Sequence, residues 1–305
     1  MLHDWIERTD QLFVASFKIL FFVFGTFGNC CFIALIFKNQ RLRSKSSYLQ
    51  CFQCLFQIIC LLGTMVDVGL AFPDIQLDRT SCFHVMIPFI FFEAAQAVII
   101  LELVADVYII VKLPVLYKKC DTWMYLSGAL VVPSIVGAIF VSWGFTNLDY
   151  EEIYFCSPTS SLHTVASKNY TRCIVLTNTL TVIIFATLIT IFYKKSKNNN
   201  KESTKVMKRL QFSVAVFLGS WYITIFTYYV CIAVGVTGED LHFVINNMSF
   251  FTCLAYTQTF YIIIYTSKEY RIAFKELIGE KQKQMDMLNT HSSRVSALHG
   301  PTRIA

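Results

Sequence analysis

Five ionisable residues stand inside long apolar stretches of this chain: Lys18, Asp67, Glu93, Glu102 and Asp106. A full charge in hydrocarbon is costly, so each marks a pairing or a function. Lys18 and Asp67 both fall near one end of adjacent stretches, which predicts an ion pair or a lysine reaching outward along its stem. Asp67 is also carried as a ligand-contact candidate. Glu93 stands alone and is a candidate for binding a small molecule, cationic if the carboxyl is ionised. Glu102 and Asp106 lie four apart and share one helical face. No histidine accompanies them, so pairing with nearby Lys or Arg is expected rather than acid–base catalysis.

The cysteines carry a separate chemistry. Seven of the eleven, including the Cys51-x-x-Cys54 pair, lie within apolar stretches and read as packing residues. Cys82, Cys156 and Cys173 lie outside or at the edges of those stretches. No zinc-ligand spacing, Gly-rich phosphate loop or nucleophile elbow is present, so no enzyme activity, metal or cofactor is expected. Asn169-Tyr170-Thr171 is a glycosylation sequon between apolar stretches, making Asn169 the candidate acceptor. Asn247-Met248-Ser249 is a second sequon, but it lies inside a stretch.

The elements that must position these groups follow from the hydropathy pattern. Of 305 residues 55% are hydrophobic and 15% charged, and the apolar ones come in blocks. Seven blocks reach the roughly 20 residues a helix needs to cross a bilayer: 12–37, 47–72, 83–111, 123–145, 174–193, 210–236 and 243–265. The predicted fold is an all-α membrane protein, a seven-transmembrane helix bundle. The net charge of +6 is spread over short connecting segments, a membrane pattern that excludes a nucleic-acid partner. Segments 38–46, 112–122 and 194–209 hold fourteen basic residues, whereas residues 1–11, 73–81, 146–173 and 237–242 hold four. The basic-rich segments belong in the cytosol. That places residues 1–11 outside the cell and Asn169 in the second outer loop. Acidic residues occupy the place of a basic signal-peptide region, so the first span is expected to act as its own insertion signal. Beyond the receptor domain at 12–265, residues 266–280 predict a short amphipathic helix on the inner membrane surface. Its apolar face carries Tyr270, Phe274, Leu277 and Ile278. Residues 281–305 are polar and predict a disordered cytoplasmic tail.

Several short segments, in order along the chain, resemble rhodopsin-like G-protein-coupled receptors and, more closely, the nematode serpentine chemoreceptors of the Srsx class. They include Gly28-Asn29, the Leu42–Ser46 segment, Cys82 opening the third span, and Asp106-Val107-Tyr108 with Lys112 and Pro114 downstream. Phe217 with Trp221 and the Tyr265–Phe274 exit continue the pattern. The resemblance runs from about residue 25 to 274. It implies a plasma-membrane chemosensory receptor, with sensory-neuron cilia as its address. An extracellular small molecule (odorant-like or an amine) and a heterotrimeric G protein would be its partners, alongside membrane lipids. It implies ligand contacts at Glu93, Trp221 and Tyr222. It implies a disulfide from Cys82 to Cys156, with Cys173 as the competing partner. Residues near the G-protein opening would be Asp106, Tyr108, Lys112, Lys208 and Arg209. Four departures bear on signalling. The usual arginine is Val107, the usual second-span aspartate is Gln57, and the seventh-span Asn-Pro pair is Tyr261-Ile262. Ile223 stands where the sixth span normally has proline. Without the arginine, Asp106 is expected to find another partner, take up a proton or stay hydrated, and Lys112, Lys118 and Lys119 are near in sequence. Two rival readings follow: a receptor-like protein that binds without signalling, and a seven-helix transporter or channel.

Overall fold

A computed structural model describes residues 2–71, 77–153, 156–196, 216, 219, 220, 222–224, 226–231, 233–236 and 239–279, with backbone alone at 2–7, 71, 192–196, 239, 240 and 242. Helix α1 spans Leu2–Lys38, α2 Lys45–Ala71, α3 Arg79–Lys112, α4 Pro114–Lys119, α5 Thr122–Thr146, α6 Thr164–Ser196 and α8 Glu239–Thr266. Between α6 and α8 a shorter apolar helix, α7, covers Tyr222–Cys231. After α8 residues 268–279 form α9. Among the described residues six helices, α1, α2, α3, α5, α6 and α8, are long and apolar enough to cross a membrane.

Two sequence boundaries move. The helix expected from residue 12 begins at Leu2, so residues 2–11 belong to α1 rather than to a separate N-terminal segment. The fifth apolar block, expected from residue 174, is preceded by helix from Thr164. Hydropathy finds only the apolar part of a helix, and both extensions are polar turns added beyond it.

Local chemistry sets the ends. Asp78 caps α3 by accepting from the Ser81 backbone N–H at 3.1 Å, and Asp121 caps α5 by accepting from Trp123 at 2.9 Å and Met124 at 3.2 Å. Hydrogen bonds from Ser81 hold the Asp78 carboxyl below its ordinary pKa, and the Met124 and Trp123 N–H groups do the same for Asp121. Arg43 folds back and donates to the Ile36 and Phe37 carbonyls, closing α1. Pro114 opens α4, where its missing N–H costs nothing.

Helix α3 is the axis of the bundle, buried from Cys82 to Val107 in one core shared with α2, α5 and α6. Large apolar residues on α1, α5 and α6 (Phe24, Val131 and Ile183 among them) face outward instead, as a lipid-facing surface requires. Gly137 and Gly144 let α5 approach α3 closely. A Cβ at Gly144 would stand 2.1 Å from the Phe83 ring, and one at Gly137 would meet the Phe91 ring at 2.7 Å and its carbonyl at 2.8 Å.

Helix α9 does not leave its apolar face free for lipid. Tyr270 stacks on Phe32 of α1 with ring centroids 5.9 Å apart, and Phe274 meets Phe260 of α8 at 5.2 Å. Leu277 packs on the same cluster, while Ile278 and Ile272 stay exposed. Of the four residues expected on one apolar face, Tyr270, Phe274 and Leu277 pack against protein and Ile278 does not, and periodicity alone could not say what covers that face. The Cys51 and Cys54 thiols are free and buried in this same cluster.

Candidate functional site

A strap fastens the segment after α5 to the start of α3. Cys82 and Cys156 form a disulfide with Cα atoms 5.6 Å apart, and Cys173 is free. Strand β1 (Leu77–Asp78) pairs antiparallel with β2 (Glu152–Ile153). The Arg79 guanidinium holds Asp149 and, at 2.8 Å, Glu151. The Thr80 hydroxyl donates to the Asp149 carbonyl.

The strap delivers residues 157–160 to the wall of a 460 Å³ cavity between the helices. That size suits a small organic molecule. Asp67 and Glu93, both singled out from the sequence, line it together with Lys18. Lys18 of α1 forms an ion pair with Asp67 of α2 and donates to Asn246 Oδ1 of α8 at 3.0 Å. The pair lies about four residues, roughly 6 Å, from the described end of α2, whereas Glu93 lies about 16 Å along α3 from Cys82.

Glu93 accepts a 3.0 Å hydrogen bond from the Tyr170 hydroxyl of α6. Tyr256 of α8 also lines the cavity and stands within electrostatic reach of the Glu93 carboxylate. Neither tyrosine was legible as a site residue. Tyr170 is the middle residue of the sequon, and only its register with Ile174 on one face of α6 could have drawn attention to it. Tyr222 is not among the cavity-lining residues; its hydroxyl lies 3.0 Å from that of Thr179. Trp221, Lys208 and Arg209 lie outside the described residues.

At the other end of α3 the structure assigns Asp106 a partner that sequence proximity missed. Asp106 is fully buried and accepts a 2.7 Å hydrogen bond from the Tyr125 hydroxyl of α5, not from Lys112, Lys118 or Lys119. Lys45 closes this cluster by donating to the Tyr117 and Cys120 carbonyls, with its ammonium 4.7 Å above the Tyr117 ring centre. Burial and the neighbouring Asp106 push the Tyr117 phenol above its ordinary pKa. Val107 points into the core, while Tyr108 and Lys112 are exposed. Asp106 therefore does not share the exposed surface of the other two coupling candidates. Gln57, at the position of the usual aspartate, is fully buried; it accepts from Thr259 at 3.1 Å and donates to the Ala255 carbonyl at 3.5 Å, tying α2 to α8.

Asn169 lies on α6, partly buried and one residue from fully buried Tyr170, not in a loop. Of the two sequons, the second is also helical: Asn247 of α8 donates to Asp10 at 3.0 Å.

These features define a multi-pass helical membrane protein with a ligand-sized cavity between its helices. Residues 22–278 match the family of serpentine type 7TM GPCR chemoreceptors, Srsx, and the chain belongs to that family. No curated protein matches the chain.

Proposed function

We propose that this chain is a plasma-membrane chemosensory receptor with seven spans, α7 forming part of the sixth. It binds an extracellular small molecule in the cavity and signals to a heterotrimeric G protein. In this reading the strap and residues 1–11 face outside the cell, and Lys112 faces the cytosol. The cavity carries the reading: it collects Glu93 and Asp67 on one wall system built from α1, α2, α3, α6, α7 and α8. Trp221 completes the ligand contacts, and Lys208 and Arg209 join Tyr108 and Lys112 at the coupling surface. Sensory-neuron cilia are the expected address.

Topology has a direct test. An epitope placed before Leu2 is expected to stain intact cells. Asn169→Gln is expected to abolish any gel shift caused by enzymatic deglycosylation. Staining only after permeabilisation reverses the orientation.

Coupling is tested at Val107. Its short apolar side chain cannot form the charge-assisted contact an arginine would make with a G protein. Such contacts contribute about 1.5–3 kcal/mol. Val107 faces the core, so an arginine there meets a G protein only by extending its long stem out of that core; compared at equal amounts of folded protein, Val107→Arg is expected to raise ligand-stimulated nucleotide exchange on purified G protein by roughly tenfold, with ligand affinity little changed. The buried valine also favours the rival reading of a receptor-like protein that does not signal. A native protein that already drives exchange as strongly as the arginine variant removes that rival.

A further inference from the structure

We propose that the cavity takes a primary amine, its ammonium nitrogen seated against Glu93; this rests on the cavity being the ligand site. Among the described residues three formally charged side chains line the cavity: Lys18, Asp67 and Glu93. The first two neutralise each other through their ion pair. Among the described residues Glu93 forms no ion pair, and its hydrogen bond comes from a neutral hydroxyl, that of Tyr170. Among the described lining residues Glu93 is thus the one whose formal charge has no counter-charge, in a largely apolar enclosure where a lone carboxyl either takes up a proton or meets a cation. Leaving such a carboxylate without a counter-charge is expensive, and a cation entering the cavity offsets that cost. An anion would add a second negative charge to the same space.

The kind of cation follows from the neighbouring atoms. Tyr256 is buried, stands within electrostatic reach of Glu93, and among the described residues its hydroxyl makes no hydrogen bond of normal geometry. A hydroxyl oxygen accepts as readily as it donates. Glu93 is partly open to the cavity and Tyr256 lines it, so acceptor oxygens from two helices are available to one incoming group. A primary ammonium carries three N–H donors and can satisfy both. A quaternary ammonium has none and instead calls for a cage of aromatic faces.

The test uses the purified full chain in lipid nanodiscs. Probes are short alkyl and phenylalkyl primary amines, each compared with its alcohol and its trimethylammonium counterpart, read by isothermal titration. At least one amine is expected to bind roughly tenfold or more tightly than both counterparts. Glu93→Gln is expected to bring that amine down to the affinity of its alcohol. Glu93→Asp should keep the amine preference, and the comparison of counterparts on the native chain needs no variant at all.

Ser249→Phe, which places a ring in the cavity wall on α8, separates the two levels of inference. Alcohols that bind as tightly as amines, and lose binding in Ser249→Phe but not in Glu93→Gln, keep the cavity and overturn the amine. Binding of no amine to the native chain also overturns it, as does an unchanged amine affinity in Glu93→Gln. Amine binding at Glu93 without any nucleotide exchange supports this inference and counts against the receptor's coupling instead.

Discussion

Lys18→Met is expected to destabilise the purified protein by about 3–5 kcal/mol, the usual cost of removing one partner from a buried ion pair. The side chains of Lys18 and Asp67 are only 4% and 12% exposed, and the bond joins α1 to α2. Asn246 extends the tie to α8. Without the lysine, Asp67 must keep a charge with no counter-ion or take up a proton, and each route costs stability. The double variant Lys18→Met with Asp67→Leu removes both charges and fills the space with apolar atoms. It should recover most of the loss, because a buried pair is often no more stable than a well-packed apolar one. Thermal denaturation in one detergent, over the four members of the cycle, measures the coupling. Equal losses in the single and double variants would show that packing of the lysine stem matters and the charge does not.

Cys156→Ser is the second large effect. A disulfide stabilises typically by about 2–4 kcal/mol, more for longer loops. This one closes a sequence separation of 74 residues. Cys82→Ser, Cys156→Ser and the double variant should lose the same amount, while Cys173→Ser should change little. Ligand affinity should fall alongside stability, because residues 157–160 of the cavity wall follow directly on Cys156. Additive losses in the double variant would mean that the two cysteines act separately.

Six of the seven expected spans were legible because hydrocarbon demands long apolar blocks, and blocks survive in a one-dimensional reading; of the block at 210–236, most of 210–221 lies outside the described residues. The Lys18–Asp67 pair was legible because opposite charges at matching depth in adjacent helices have few other partners. The Cys82–Cys156 bond came from resemblance to a family, and three cysteines alone would have left the choice open. The partners of Glu93 and Asp106 were not legible. Tyr170 is 77 residues from Glu93, and Tyr125 is 19 from Asp106. A tyrosine in a membrane helix defaults to packing, so its hydroxyl becomes informative only once two helices are set side by side. In sequence the lysines near Asp106 look like its natural partners, because charge attracts charge. In the bundle a phenol on α5 donates to the carboxylate, and Lys45, within electrostatic reach, donates to backbone carbonyls instead.

The strap at the start of α3 has a kinetic meaning. Residues 77–82 are joined to 149–153 and to Cys156 by a covalent bond, an ion-pair fork on Arg79, a strand pairing and a hydroxyl bond. A flap held at so many points cannot flutter on the nanosecond scale of ordinary loops. That fixes residues 157–160, which follow directly on Cys156, as a wall of the cavity that stays with α3. Across the cavity Lys18 and Asn246 tie α1 to α8, so a molecule between them meets walls that are already fastened and its shape is selected before it is bound.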